Sequence, residues 1–331
     1  MEKRRSASRP EAVWKEKDLV SGQEEDAMVA IFRTSGCSWA KKGGCTMCGY
    51  SSASLSEVTT EDLMSQIDEV MRKYGGEKFV KIYTSGSFLD DNEIPPEVRE
   101  RIFSEFSECS RILFESRPEY VTRESLSQVP KTVTLALGLE SSDPDVLSKS
   151  VRKGFTPEDS RRAGECAKDA GLCVRTYLLL KPLFMTESDA IEDVLRSIAF
   201  ADTFSDEISV NPVNVQRGTY LEHLWRRGSY RPPWIWSLTE VITKAAPVTK
   251  ARIMSSPSGG GSQRGVHNCG ACDSKVLDAV HEFSITQDTG CMDVHCECET
   301  RWRRYLESER MLGTAADIDR GIRDELMLAG R

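Results

Sequence analysis

No stretch of this chain is apolar for the roughly 18–20 residues that a membrane-spanning helix needs. The basic start, MEKRRSASRP, is not followed by the apolar region of a signal peptide. Together these absences leave the cytoplasm as the expected compartment and no membrane as a partner. Positive charge is not in excess either: 44 Lys and Arg stand against 52 Asp and Glu, a formal net charge of −8. That excludes a general affinity for nucleic acid, which rests largely on neutralising phosphates. It leaves room for a local basic face or for a partner that supplies one. Internal repeats are absent, and low complexity is confined to residues 255–261, SSPSGGG, which read as a flexible turn. The eleven cysteines are odd in number and mostly clustered, which does not describe a disulfide framework. Thiolates held by metal in a reducing compartment explain the clusters better.

What is present is a globular composition, 331 residues with 39% hydrophobic and 29% charged. It suits one large domain, with or without an extension. Short β-branched runs at 29–33, 79–84, 111–116, 132–137, 174–180 and 207–213 alternate with helical patterns near 60–74, 95–107, 123–129, 157–170, 187–202 and 218–227. In the first helix Leu63, Ile67, Val70 and Met71 share a face and Thr60 takes the N-cap position. Six strand–helix units predict parallel strands with right-handed crossovers, as a doubly wound sheet or a barrel. In either, ligands bind at the C-terminal strand ends. Several polar groups fall there: Thr84, Ser85 and Gly86, then Glu115 and Arg117, then Glu140, with Arg175 and Lys181 flanking the fifth strand. The character changes after residue 228, where Arg231-Pro-Pro-Trp234 breaks the pattern. Further helices are expected near 299–311 and 314–329. The boundaries read as an N-terminal extension 1–27, a β/α domain 28–228 and a cysteine-rich extension 229–331.

Cys37, Cys45 and Cys48 lie in one loop directly after the first strand, in the segment CSWAKKGGCTMCGY. Three thiolates can hold three irons of a [4Fe–4S] cubane and leave the fourth iron open to a chelating cofactor. The alternatives are a zinc site lacking a ligand, or unligated thiols. In the tail, Cys269 and Cys272 form a C-x2-C knuckle, and Cys296 and Cys298 a distant C-x-C. Four sulfurs suit tetrahedral zinc. A second iron–sulfur cluster also fits, and Cys291, His267 and His295 compete for the fourth position. Cys109, Cys166 and Cys173 are isolated and read as core packing. Arg226, Arg227, Arg231, Trp234 and Trp236 interleave cations and aromatics, as an RNA-contacting surface does. Asn211, Asn214 and Gln216 alternate at the end of the sixth strand and are candidate substrate contacts.

With its three-cysteine loop after strand one, the chain resembles the radical S-adenosylmethionine (SAM) superfamily. The resemblance implies a partial (βα)6 barrel, a [4Fe–4S] cluster on Cys37, Cys45 and Cys48, and SAM as cofactor. It implies SAM contacts from Thr84, Ser85 and Gly86 at the amino group, from Glu115 at the ribose, from Arg117 at the carboxylate, and from Glu140 and Arg175 nearby. The superfamily's common spacing is C-x3-C-x2-C; here seven residues separate Cys37 from Cys45, as in elongator-like branches. The usual aromatic before the third cysteine is Met47, and Trp39 or Tyr50 are the available substitutes. Five segments, GCTMCGY (44–50), ESRPEYV (115–121), YLLLKP (177–182), NPVNVQ (211–216) and HNCGACD (267–273), are more specific. They are similar to the radical SAM subunit of archaeosine synthase. That family implies a tRNA substrate, a transglycosylase-like partner subunit and an electron donor. Its reaction cleaves the lysine C–N bond of a lysine-adducted 7-deazaguanine in the D-loop. Rival readings are another radical SAM tRNA enzyme, elongator-like or methylthiotransferase-like, and a non-catalytic iron–sulfur subunit. The absence of an acyltransferase pattern or an RNA-binding barrel after residue 228 weighs against the first. The cofactor-like strand ends weigh against the second.

Overall fold

The β-branched runs form strands and the amphipathic runs form helices, in the alternation the sequence predicts. In the computed structural model, which describes residues 6–20 and 22–312, the strands are β1 (Ala12–Val20), β2 (Gln23–Ile31), β3 (Phe79–Tyr83), β4 (Arg111–Ser116), β5 (Val133–Glu140), β6 (Cys173–Leu180), β7 (Glu207–Pro212) and β8 (Arg252–Met254). The helices are α1 (Thr60–Met71), α2 (Pro96–Glu105), α3 (Arg123–Leu126), α4 (Pro157–Asp169), α5 (Glu187–Ala201), α6 (Tyr220–Arg226), α7 (Ile235–Ala245), α8 (Asp273–Thr286) and α9 (Cys298–Leu312). The helix expected near 314–329 lies outside the described residues. No described helix is long and apolar enough to cross a membrane.

The strands make one sheet in the order β1 to β8. β1 is antiparallel to β2, while β2–β3, β3–β4, β4–β5 and β7–β8 are parallel. An order that never reverses has no switch point, so right-handed crossovers put the connecting helices on one face. This is the α/β topology of the partial barrel expected, of the radical SAM type, with the cysteine-rich extension following it. Ala30, Val80, Ile82, Phe114, Leu135 and Leu137 share the helix-side face and are essentially fully buried. Each of these apart from Ala30 contributes about 1.5–3 kcal/mol. The other face carries Val29, Lys81, Leu113, Thr134 and Glu115 in register, and alternation adds Glu140.

Two strands escaped the sequence pattern. β1 has a charged middle, and its charges are used: Lys81 on β3 is buried between Glu16 and Asp18, the latter at 2.5 Å. Burial pushes Asp18 up, but Lys81 and Arg175 hold its carboxyl below the usual range. β8 is three residues long, too short for a period to register. The N-cap of α1 is Thr59, one residue before the expected Thr60. Thr59 Oγ1 accepts from the Asp62 amide, and the Asp62 carboxylate accepts from the Thr59 amide. That reciprocal pair satisfies two amides that a cap at Thr60 would leave open.

Two compact units are distinguishable. One comprises Met1–Gly44, Gly49–Gly138 and Asp159–Arg175; the other comprises Cys45–Cys48, Leu139–Glu158 and Thr176–Arg331. In the first, Phe88 stacks on Phe114 at 4.3 Å with Phe103 beside them. In the second, Asp193 on α5 is buried and accepts from Ser141 Oγ at 2.9 Å. Burial pushes Asp193 up to about 6. A carboxyl raised in the fold favours the native state while protonated. Its contribution is therefore full below the unfolded value near 4 and is lost as pH rises through about 6. Asp193→Asn should leave stability unchanged near pH 4 and raise it by about 3 kcal/mol above pH 7, since each pKa unit is about 1.4 kcal/mol. Denaturant melts at the two pH values check this, and a gain that did not grow with pH would contradict it.

Candidate cofactor and metal sites

In the first unit, the loop after β2 is built around Cys37. Its position is set by the turn after β3. A Cβ placed on Gly86 would lie 2.6 Å from Cys37 Cα and 2.2 Å from Glu93 Oε2, so only glycine lets these backbones approach. Glu93, which the sequence pattern did not single out, organises the turn. Its carboxylate is buried and accepts from Thr34 Oγ1 at 2.5 Å and from the Ser87 amide at 2.6 Å, with the Thr84 hydroxyl as a further partner. Burial pushes Glu93 above the usual carboxylate range despite these donors. The turn is stitched to the end of β4: the Phe88 amide donates to the Glu115 carbonyl at 2.9 Å, and the Arg117 amide to Ser87 Oγ at 3.1 Å. Arg117 pairs with Glu119 at 2.6 Å and its guanidinium lies 5.6 Å from the Trp39 ring centre. Ser38 and Tyr120 share a hydroxyl hydrogen bond of 2.7 Å. Thr84, Ser85, Gly86, Glu115 and Arg117 are thus gathered around the Cys37 end of the loop. Arg175 is the third residue of β6, buried and in the field of Asp18.

Gly86→Ala should therefore displace Cys37 while leaving the sheet intact. A misplacement of about 1 Å at a reacting site costs on the order of a hundredfold in rate. The expected result is a loss of that size in any turnover that depends on Cys37, with unchanged circular dichroism. Full activity in this variant would show that the contact does not position Cys37.

In the second unit, Thr46 fixes the segment Cys45–Cys48. Its amide donates to the Val151 carbonyl at 3.1 Å, its carbonyl accepts from the Leu221 amide at 3.2 Å, and its hydroxyl donates to the Ser150 carbonyl at 2.6 Å. Met47 is buried with Val151, Leu183, Leu221 and Tyr230. Tyr50 is 58% exposed. Glu140, which ends β5, holds a φ of +71° and pairs with Lys153 at 2.5 Å. A left-handed non-glycine residue costs on the order of 1–3 kcal/mol, a cost that clusters at functional sites. Lys181, just past β6, has φ +63° and meets buried Glu187 at 2.7 Å. Asn211 accepts from Ser209 Oγ at 3.1 Å. β7 ends at Pro212, so Asn214 and Gln216 follow the strand and do not continue it; Asn214 lies beside Gly259.

The tail cysteines converge. The sulfurs of Cys269, Cys272, Cys296 and Cys298 lie within 4.8 Å of one another. Individual separations are 3.7 Å (Cys269–Cys272), 3.8 Å (Cys269–Cys296) and 3.5 Å (Cys272–Cys298). Four sulfurs about 2.3 Å from one tetrahedral ion stand about 3.8 Å apart. Cubane thiolates each bind a different iron and spread farther. Trp236 Nε1–H donates to Cys298 Sγ at 3.2 Å and Asn268 Nδ2–H to Cys272 Sγ at 3.5 Å, the kind of outer contact that orients thiolates. Burial pushes the Cys269 thiol up, but the amides of Cys272 and Ala271 outweigh it and bring it down to about 7. The alternates stand aside: Cys291 donates to the Asp288 carbonyl at 2.8 Å, His267 Nδ1 faces the Gly265 carbonyl, and His295 is exposed beside Asp293. None of the eleven cysteines forms a disulfide.

The aromatic-basic patch expected at 226–236 is not one surface. Trp234 and Trp236 are buried, and Arg231 stacks on Trp234 at 4.2 Å and donates to the His267 carbonyl. Trp234 lies beside Tyr305 at the start of α7, and Trp236 within α7 meets Cys298. Only Arg226 and Arg227 of the five are exposed.

No family model matches the chain. It is 44% identical over 315 residues to archaeosine synthase subunit beta of Methanosarcina acetivorans, covering 91% of this chain and 90% of that one. It is 38% identical over 311 residues to archaeosine synthase subunit beta of Thermococcus kodakarensis, covering 89% and 96%. Among solved structures, queuine lyase from Clostridium spiroforme bound to SAM and queuine is 18% identical with a TM-score of 0.47, over 64% of this chain and 86% of that one.

Proposed function

Since the chain belongs to the archaeosine synthase subunit beta family of radical SAM enzymes, we propose that it cleaves the lysine C–N bond of a lysine-adducted 7-deazaguanine in the tRNA D-loop, leaving archaeosine. The carrying observation is the 44% identity over nearly the whole of both chains. In this reading Cys37, Cys45 and Cys48 hold the [4Fe–4S] cluster. The donor set suits it, and the Gly86 cradle supports the placement of Cys37. When bound, cluster and SAM would supply an organic radical able to take hydrogen from the carbon beside the nitrogen to be released.

The chain's own residues bind and orient. The turn Thr84–Ser85–Gly86 receives the SAM amino group. Glu115 accepts the ribose hydroxyls, and Arg117, braced by Glu119 and Trp39, neutralises the SAM carboxylate. Glu140 stands at the next strand end. Arg175, near the start of its strand and in the field of Asp18, is the further cofactor contact in this reading. Asn211, Asn214 and Gln216 face the substrate. Zinc is the proposed occupant of the tail sulfurs, on their separations. The reading also takes in a transglycosylase-like partner subunit, an electron donor and a cytoplasmic setting. The boundaries 1–27, 28–228 and 229–331 are not those of the sheet, which takes in β1 and the start of β2 before residue 28 and β8 after residue 228. Deleting the gene should leave tRNA carrying the lysine adduct and no archaeosine, read by mass spectrometry of digested tRNA. Archaeosine persisting in that strain would refute the assignment.

A further inference from the structure

The chain is acidic overall, yet two segments of the second unit are not. Residues 149–156 contain Lys149, Arg152 and Lys153 and no carboxylate. Residues 216–231 contain four arginines against Glu222 alone. The backbone of Thr46 joins these segments, through Val151 on one side and Leu221 on the other. The basic stretches therefore flank the piece of chain that carries Cys45 and Cys48.

Their side chains are displayed outward. Arg152, Arg217, Tyr220, Arg226 and Arg227 are exposed. Arg152 sits at φ +58°, a left-handed conformation uncommon for a residue with a side chain. Tyr220 is 40% exposed and stacks nearly parallel, at 17°, on the ring of His223, which meets Arg227 Nη1 at 3.4 Å. The single carboxylate is spent locally. Glu222 accepts from Arg264, from the Gly218 amide at 2.8 Å and from Arg226 at 3.0 Å. What the surface offers a partner is spaced cations and an outward ring. Phosphates take the first and an unstacked base takes the second. An acidic protein would use the cations but has no need of the stacked rings.

We propose that Arg152, Arg217, Tyr220, Arg226 and Arg227 form a tRNA-binding rim beside the Cys45–Cys48 segment. This rests on the tRNA-modifying reading above. The arginines hold backbone phosphates and set position, while Tyr220 stacks on an unpaired base.

The test is tRNA binding by the full chain with its metals loaded, from about 50 to 200 mM salt, the range in which phosphate contacts are strongly felt. Two variants are compared: Arg152→Gly/Arg217→Ala/Arg227→Ala, and Tyr220→Ala. With about 0.7 of a counterion released per phosphate contact on single strands, the triple variant should lower the salt slope by about 2 and weaken binding at least tenfold. Tyr220→Ala should weaken binding roughly 5- to 100-fold with the slope unchanged. Deoxyadenosine formation from SAM without tRNA should be unaffected in both, which verifies the fold. Wild-type affinity and slope in both variants would overturn the rim while sparing the tRNA reading. Loss of partner-subunit binding with tRNA binding intact would assign the surface to protein and also overturn it. A wild-type chain that cleaves SAM yet binds no tRNA even at low salt would overturn the tRNA reading itself.

Discussion

Replacing Cys37, Cys45 and Cys48 together with alanine should abolish deoxyadenosine formation, leaving no more than the background without enzyme. Iron at this site should fall from about four per chain to none. The fold should survive, because the loop is held without them. Gly86 and the Glu93 network set the Cys37 end, and Thr46 and buried Met47 set the Cys45–Cys48 end. Deoxyadenosine formation at the wild-type rate in this variant would remove the three-cysteine site from the account. The loss must also be specific. The tail metal, measured in the same sample, should remain.

The second large effect concerns the tail. α9 starts at Cys298 and reaches back over its own unit. Trp302 Nε1–H donates to Ser237 Oγ at 2.9 Å, and that hydroxyl donates to Glu187 at 2.5 Å. Glu309 accepts from the amides of Glu187 at 3.0 Å and Ser188 at 3.3 Å, capping α5. Glu187 also holds Lys181 and the Trp234 amide. An ion bound only by the folded state stabilises it by about 4 kcal/mol at a free concentration of 1,000 times Kd. At about 2–4 °C per kcal/mol, chelation or Cys272→Ser/Cys298→Ser should lower Tm by roughly 10 °C. Hydrogen exchange should rise first in α9 and the start of α5. Aerobically purified protein should hold about one zinc per chain. Iron there with no zinc would replace zinc by an auxiliary cluster. An unchanged Tm after complete metal removal would deny the site a structural role.

How much of this was legible depends on how local each signal is. The strands β3, β4, β6 and β7 are short apolar runs between turn residues, and their boundaries follow from the chain alone. β1 did not read as a strand because Lys15, Glu16, Lys17 and Asp18 look solvated. Lys15, Glu16 and Asp18 are in fact paired with Glu77 and Lys81, about sixty residues away in sequence, while Lys17 meets Asp26 on the neighbouring strand. The four tail sulfurs were legible because C-x2-C and C-x-C fix their own geometry. Glu93 was not: one of three carboxylates in an Asp-Asp-Asn-Glu turn looks like surface until Thr34 and Ser87 are seen around it. The interleaved cations and aromatics at 226–236 misled because interleaving says nothing of which side faces out. The apolar period of α7, Ile235, Leu238, Val241 and Ile242, puts Trp234 on the inward face, whereas Trp236 lies on the opposite side and is covered by Cys298, which periodicity does not show.

The central claim is that this chain removes lysine carbons from a tRNA base with SAM as co-reactant. The most direct measurement incubates tRNA carrying the lysine adduct with this chain, its partner subunit, SAM and a low-potential electron donor, then identifies the nucleosides by mass. The account predicts archaeosine, formed only when both SAM and the donor are present and lost with Glu115→Gln. Persistence of the lysine adduct while deoxyadenosine accumulates would contradict it.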